Sequence, residues 1–249
     1  MADAARVTRD TRVARASALA RALDLHVADD GVSIPLGKAQ LLVEDEGLAL
    51  AVEGFRKPLR VDFAVGRLGY RFRHPGREQL VRACGLTRRR GLSVVDATAG
   101  LGVDSFVLAS HGARVTLVER HPLVFALLSD ALRRARESSG LQEVMSRMEL
   151  VHAEASVWLA AAEPPDVIYL DPMFPPREKS ALVKRPMRML QAVVGNHDDA
   201  EALLRAAMGA SPRRVVIKRP RRAGGASVEQ PSSFSVEGRR VRFDVYELS

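Results

Sequence analysis

The stretch "VVDATAGLGVDSF" (Val94 to Phe106) sets Gly100 and Gly102 between two acids, Asp96 and Asp104. Glycine has no Cβ, so a ligand can come close to the backbone there. Nineteen residues after Gly100 stands Glu119, at the end of an apolar run. In an α/β sheet, an acid at that interval after a glycine-rich turn accepts hydrogen bonds from ribose hydroxyls. The chemistry is that of a nucleoside-bearing cofactor. Dinucleotide enzymes use G-x-G-x-x-G, whereas the third position here is Ser105. Asp104 sits where an incoming pyrophosphate would meet its negative charge. An acid in a first helical turn also suits the helix dipole. S-adenosyl-L-methionine carries no phosphate, and its methionine end bears an ammonium and a sulfonium. Asp96, Asp104 and Glu119 together suit that cation.

A second chemical site follows the run "DVIYL" (Asp166 to Leu170), in "DPMFPPREKSALVK" (Asp171 to Lys184). "DPMF" resembles the D/N-P-P-Y/F motif of methyltransferases that act on exocyclic amino groups. Such a nitrogen is a poor nucleophile, because its lone pair is delocalised into the ring. A carboxylate, Asp171, and a backbone carbonyl can accept its two N–H bonds, aim the lone pair at the methyl group and stabilise the developing positive charge. Pro172 fixes the backbone that presents the carbonyl. Phe174 offers a face on which a flipped base can stack. Met173 stands where many enzymes of this class have proline.

These residues need a scaffold that brings them to one edge. From residue 91 onward, strand-like runs ("LSVVDA", "ARVTLVE", "MELVHA", "DVIYLD", "RRVVIKRP") alternate with helical ones ("GVDSFVLASHG", "PLVFALLSDALRRARESS", "EASVWLAA", "RPMRMLQAVVG", "DDAEALLRAAMGA"). Alternation with continuous Val/Ile/Leu strands predicts a mostly parallel, doubly wound sheet. The tail "SFSVEGRRVRFDVYEL" reads as a hairpin at an antiparallel edge. Residues 1–90 have another texture: an N-terminal helix, a hairpin in "AQLLVEDEGLALAVEG" (Ala39 to Gly54), a strand in "LRVDFAVG" (Leu59 to Gly66) and a helix in "GREQLVRACGL" (Gly76 to Leu86). We expect an N-terminal α+β lobe over 1–90 and a catalytic domain over 91–249.

The 249 residues, 47% of them hydrophobic, are enough for one large α/β domain with a small appendage. No run of eighteen apolar residues occurs, so no membrane span is expected. The single cysteine, Cys84, excludes an internal disulfide and argues against a Cys-built metal site. A cytoplasmic setting fits. The arginines of the first 25 residues have the look of a transit peptide, but Asp3, Asp10 and Asp24 interrupt them and no secretory core is present. A net charge of +8 and a pI near 10.3 fit a nucleic-acid partner. An arginine- and alanine-rich composition would also follow from a GC-rich genome. Basic runs "KRPRRAGG" (Lys218 to Gly225) and "GRRVRF" (Gly238 to Phe243), with Lys179, Lys184, Arg185 and Arg188, are placed either to face solvent or to grip RNA phosphates.

Together, "VVDATAGLGVDSFVLASHG", "VERHPLV", "YLDPMFPPREKSALVK" and "VVIKRP" resemble the RsmJ family of small-subunit ribosomal RNA guanine-N2 methyltransferases. The resemblance implies a Rossmann-like class I methyltransferase fold and S-adenosyl-L-methionine as cofactor, with no metal. It further implies methylation of N2 of one guanosine near the 3′ end of 16S rRNA, as free rRNA or in the small ribosomal subunit. The family's cofactor contacts fall on Val103 and Asp104, Glu119 and Arg120, Glu154 and Ala155, and Asp171. Family members carry arginine before the Asp104 position and small polar residues at 154 and 155. Val103, Glu154 and Ala155 here point to backbone contacts, and Glu154 is also placed to approach the adenine amino group.

Other readings stay open at this point. An N6-adenine enzyme would use the same amino-group chemistry. An NAD(P) oxidoreductase would share the sheet, although no tyrosine has lysine four residues on. A non-catalytic RNA-binding protein would have no use for Asp171. His152 and Glu154 form an H-x-E with no P-C-x-x-C after it, which excludes a zinc deaminase.

Overall fold

The computed structural model describes residues 2–65, 78–172, 185–195, 200–221 and 231–248. Helix α1 (Ala2–Ala22) packs on a three-stranded antiparallel sheet of β1 (Ser33–Leu36), β2 (Ala39–Glu44) and β3 (Gly47–Val52), in that order. β2 and β3 are the hairpin that the sequence predicts, while β1 was not foreseen. The strand expected from Leu59 does not form: Leu59 makes a lone bridge to Leu50. The Asp62 carboxylate takes the backbone N–H groups of Ala64 (2.8 Å) and Val65 (3.3 Å), and this local turn competes with pairing. Helix α2 (Gln79–Ala83) ends near Gly85, which adopts a positive φ of 78°.

Beyond it run β4 (Ser93–Asp96), α3 (Val103–Ser110), β5 (Arg114–Glu119), α4 (Pro122–Glu137), α5 (Gln142–Met145), β6 (Met148–His152), α6 (Ala155–Ala161) and β7 (Val167–Leu170). They continue into α7 (Arg185–Val194), α8 (Ala200–Gly209), β8 (Arg214–Pro220), β9 (Phe234–Glu237) and β10 (Val241–Glu247). The seven strands lie in the order β6-β5-β4-β7-β8-β10-β9. The first five are parallel, and β10 runs antiparallel to both β8 and β9. This is the mostly parallel, doubly wound sheet with an antiparallel edge that the alternation predicts. The short α5 escaped the sequence reading. The chain winds outward from β4 through β5 to β6, then returns to β7 on the other side of β4. Ligands bind at such a switch point, beyond the carboxyl ends of the strands.

Alternate side chains serve the two faces of the sheet, as period-two strands require. Val95, Ile168, Leu170, Val215 and Ile217 meet Leu159 of α6 and Leu204 of α8. Val94, Leu117, Tyr169 and Val216 face the other way, into a core shared with α3, α4 and the N-terminal lobe. There Phe63 packs on Phe106 with ring centroids 5.0 Å apart.

One carboxylate ties the lobe to this core. Asp130 on α4 is buried, and it accepts the Leu48 N–H of β3 at 2.9 Å. Arg134 Nε donates to it at 2.9 Å, Arg133 at 3.1 Å, and Arg15 of α1 also pairs with it. Arg134 further donates to the Val61 carbonyl at 2.7 Å. Gly47 makes room: its φ is 130°, and a Cβ there would come within 2.6 Å of both Asp130 Oδ2 and Arg134 Nε.

Asp130→Ala would leave the Leu48 N–H unpaired in the core and take from three guanidinium groups the acid they share, Arg133 and Arg134 keeping Glu137 and Asp62. The expected loss is about 3 kcal/mol, read as a lower urea midpoint. Burial pushes the Asp130 carboxyl pKa up, but the Leu48 N–H and the arginines outweigh it and hold the value below the ordinary one. Its stabilisation is therefore complete above about pH 4 and is lost as pH falls through the depressed value. Urea melts in that acid window should show the wild-type midpoint falling more steeply than that of Asp130→Ala. Parallel curves would remove Asp130 from the lock.

Candidate active site

Pairing of β4 with β7 sets Asp96 beside Tyr169 and brings together the loops that leave both strands. The Ala97 N–H donates to the Tyr169 carbonyl at 3.0 Å, and the Asp171 N–H to Thr98 Oγ1 at 2.7 Å. The glycine turn and Asp171 are thus fastened to each other directly. Within the turn, Gly100 and Gly102 hold φ of 52° and 69°. Glu119, at the end of β5, accepts the Gly100 N–H at 2.9 Å with one oxygen and the His121 N–H at 2.8 Å with the other. Burial raises the Glu119 pKa, and the two N–H groups work against the rise.

These elements wall a cavity of about 550 Å³. Of the residues picked out in the sequence, Asp96, Gly100, Val103, Asp104, Glu119, Arg120, Glu154, Ala155, Asp171 and Pro172 line it. Phe174 lies outside the described residues. Gly102 requires a correction, since the expectation was that its missing Cβ admits a ligand. A Cβ there would meet Leu128 Cδ1 at 2.8 Å and Phe63 Cζ at 3.2 Å, so the space belongs to the core. Only Gly100 aims at the cavity, where a Cβ would meet Leu190 Cδ2 at 3.3 Å. Asp96 is buried and turned inward: it accepts the Ser105 hydroxyl and, at 3.1 Å, the Thr98 N–H. Burial pushes its pKa up to about 7, with the Ser105 and Thr98 hydrogen bonds pulling the other way. Arg120 Nη1 lies 3.2 Å from Glu154 Oε2, so an ion pair closes the rim between β5 and β6.

Two contributors were missed by the sequence reading. Lys218 of β8 sits with its ammonium 2.7 Å from Asp104 Oδ2 and 2.7 Å from Asp171 Oδ2. The buried Tyr169 donates its hydroxyl to Asp104 Oδ2 at 2.6 Å. The register explains the meeting. Leu170 pairs with Ile217, so Asp171 and Lys218 follow side by side on the face that carries Tyr169 and Val216. The signal in the sequence was a lone cation inside the apolar run "VVIK". Burial raises the Asp171 pKa, and the Lys218 charge works against the rise.

The basic runs divide in the structure. Lys218 points into the site. Arg219 is buried 3.1 Å from Asp244, and Arg242 lies 2.9 Å from the same acid. Arg221 pairs with Glu237 at 3.1 Å. The reading of these as RNA-facing side chains does not hold for Lys218 and Arg219: alternation sends them to opposite faces of the sheet, and each is engaged there by acids, Lys218 by Asp104 and Asp171 and Arg219 by Asp244. Lys179, Lys184 and 222–225 lie outside the described residues.

A protein-family model described as "Putative SAM-dependent methyltransferase" matches residues 9–248. The ribosomal RNA small subunit methyltransferase J of Thioalkalivibrio sulfidiphilus is 48% identical over 239 residues, spanning 93% of this chain and 92% of that protein. The protein of the same name from Pseudomonas fluorescens (strain Pf0-1) is 42% identical over 230 residues, spanning 90% and 85%. A crystal structure of a SAM-dependent methyltransferase from Neisseria gonorrhoeae matches with a TM-score of 0.73 at 34% identity, covering 94% of this chain and 91% of that one.

The two glycines should respond differently to alanine. Gly102→Ala forces a Cβ into packed core at a left-handed φ, an expected cost of about 1–3 kcal/mol in urea melts. Gly100→Ala should lose only about 1 kcal/mol for its φ while weakening S-adenosyl-L-methionine binding in a calorimetric titration. Equal stability of Gly102→Ala and wild type would contradict the packing assignment.

Proposed function

The chain belongs to the ribosomal RNA small subunit methyltransferase J family of SAM-dependent enzymes, and we propose that it methylates the exocyclic N2 of one guanosine near the 3′ end of 16S rRNA in the cytoplasm. In this reading residues 91–249 carry the chemistry and 1–90 form a docking lobe. One observation carries the proposal: the Asp171 carboxylate opens into the same cavity as Glu119 and the glycine turn.

The cavity suits the cofactor. Its volume of about 550 Å³ lies within the range of small-molecule sites. Leu101, Val118, Ala153, Ala155 and Leu203 give it apolar walls for a purine, and its carboxylates suit a cationic methionine end. S-adenosyl-L-methionine supplies an electrophilic methyl group on a sulfonium. Each Glu119 oxygen already takes one backbone N–H and keeps capacity for a ribose hydroxyl. The Glu154 carboxylate is engaged by Arg120, which favours Ala155 and neighbouring backbone as the adenine contacts. Asp171 and the Pro172 carbonyl accept the two N–H bonds of the target amine, orient its lone pair and stabilise the charge that grows on nitrogen. Phe174 supplies a stacking face for the base.

The RNA would approach over a basic groove beside the cavity. Helix α7 turns Pro186, Met187 and Leu190 toward the cavity and shares Arg185 and Arg188 with a groove lined by Phe55, Arg56 and Lys57. All four cations are exposed, and among the described residues none is ion-paired. Arg188 lies 5.5 Å over the Phe55 ring, and Arg185 donates to the Pro58 carbonyl at 3.2 Å. These contacts pre-arrange the groove for phosphates.

Asp171→Asn keeps shape but loses charge, and turns an N–H toward an N–H. Single-turnover methylation at saturating cofactor should fall about a hundred- to a thousandfold, with RNA affinity nearly unchanged. Nucleoside mass spectrometry of 16S rRNA with and without the wild-type protein identifies the product; N6-methyladenosine in place of N2-methylguanosine would overturn the base assignment.

RNA affinity should also fall steeply with salt. The Arg56→Ala/Lys57→Ala double variant should flatten the plot of log affinity against log salt by roughly 0.7–0.9 for each lost phosphate contact. An unchanged slope would return the groove to plain solvated surface.

A further inference from the structure

Lys218 is the one cation that reaches the inner end of the cavity among the described lining residues; Arg120 stays at the rim, held by Glu154. The groups that face Asp171 from the packed elements are Lys218 of β8, Asp104 of α3, Tyr169 of β7 and, behind Asp104, Asp96 of β4. Three of the four are acids or an acidic hydroxyl. Without a cation between them, Asp104 and Asp171 would be two carboxylates sharing one partly buried pocket. Like charges so placed cannot both stay ionised at little cost.

We propose that Lys218 is a positioning residue for methyl transfer, holding the Asp171 carboxylate ionised and in one orientation by bridging it to Asp104. The proposal rests on the reading of Asp171 as the acceptor of the target amine. A carboxylate has about four lone-pair sites, and the ammonium uses one of them on Oδ2. Asp104 is anchored in turn by the Tyr169 hydroxyl at 2.6 Å, so the bridge ends on a fixed point of the sheet. A protonated Asp171 would donate a hydrogen bond where the reaction needs an acceptor, and would carry no charge against the developing cation. Burial pulls the Lys218 pKa down, but Asp171 and Asp104 outweigh it and keep the ammonium charged over the working range.

The test is the pH profile of single-turnover methylation at saturating cofactor, measured for Lys218→Met, Lys218→Gln, Lys218→Arg and Asp171→Asn. Loss of the charge should move the acid limb up by about one pH unit or more, so that below both limbs Lys218→Met and Lys218→Gln run at least about tenfold slower than wild type and recover as the pH rises through their own limb. Glutamine keeps N–H donors and serves if methionine impairs folding, which thermal melts report. Lys218→Arg keeps the charge, and its limb should stay near that of wild type. An unmoved limb in Lys218→Gln, whatever the rate, would make Lys218 a space-filling residue. A limb moved as far by arginine as by glutamine would also overturn the assignment. Wild-type turnover in Asp171→Asn would sink the underlying reading of the site, separately from any result on Lys218.

Discussion

Backbone hydrogen bonds between β4 and β7 bridge the point where the chain reverses across the sheet, and the site depends on their register. Asp96 lies opposite Tyr169, so the glycine turn begins where the loop that carries Asp171 begins. The Thr98 hydroxyl then reaches the Asp171 N–H with no slack. A slip of one residue would turn Tyr169 and Asp171 to the opposite face and leave Lys218 alone with Asp104. Continuous apolar runs buried on both faces do not choose between registers, and the polar contacts at the two ends do: Ser93 with Asp166 where the strands begin, Thr98 with Asp171 where they end.

Charge is segregated by depth. The whole chain carries +8, yet the cavity collects Asp96, Asp104, Glu119, Glu154 and Asp171 against Lys218 and Arg120. The surplus of arginine lies outside, in the groove shared by the lobe and α7 and over the general surface. A cationic cofactor and a polyanionic substrate thus meet fields of opposite sign within one molecule. Lys218 is where the two regimes touch, a cation on the acidic side.

Much of this was legible in the residues. Continuous Val/Ile/Leu strands alternating with amphipathic helices specify a doubly wound sheet in few ways, and the interval from Gly100 to Glu119 follows from strand and helix lengths in such a unit. The space at the missing Cβ of Gly102 was misjudged because a glycine before a helix looks the same whether a ligand or Leu128 lies beside it. Lys218 escaped because its partners lie 47 and 114 residues away, and only the pairing of β7 with β8 brings them together. The strand after Leu59 was over-read because the Asp62 side chain competes for backbone donors within its own loop. The domain match over 9–248 extends well into the lobe, which the short motifs there had marked only loosely.

The lock at Asp130 joins residues that leave the ribosome far apart in time. Leu48 precedes its acceptor by 82 residues, and Phe63 finds Phe106 and the Gly102 turn only after those have been made. Synthesis proceeds at about 5–20 residues per second, so the lobe waits several seconds with β3 and Phe63 uncovered. During that interval the nascent chain presents an apolar sheet face with no helix to cover it. The lobe precedes the sheet in the sequence but closes only once α4 has been made, and it cannot be transplanted to another protein without that helix.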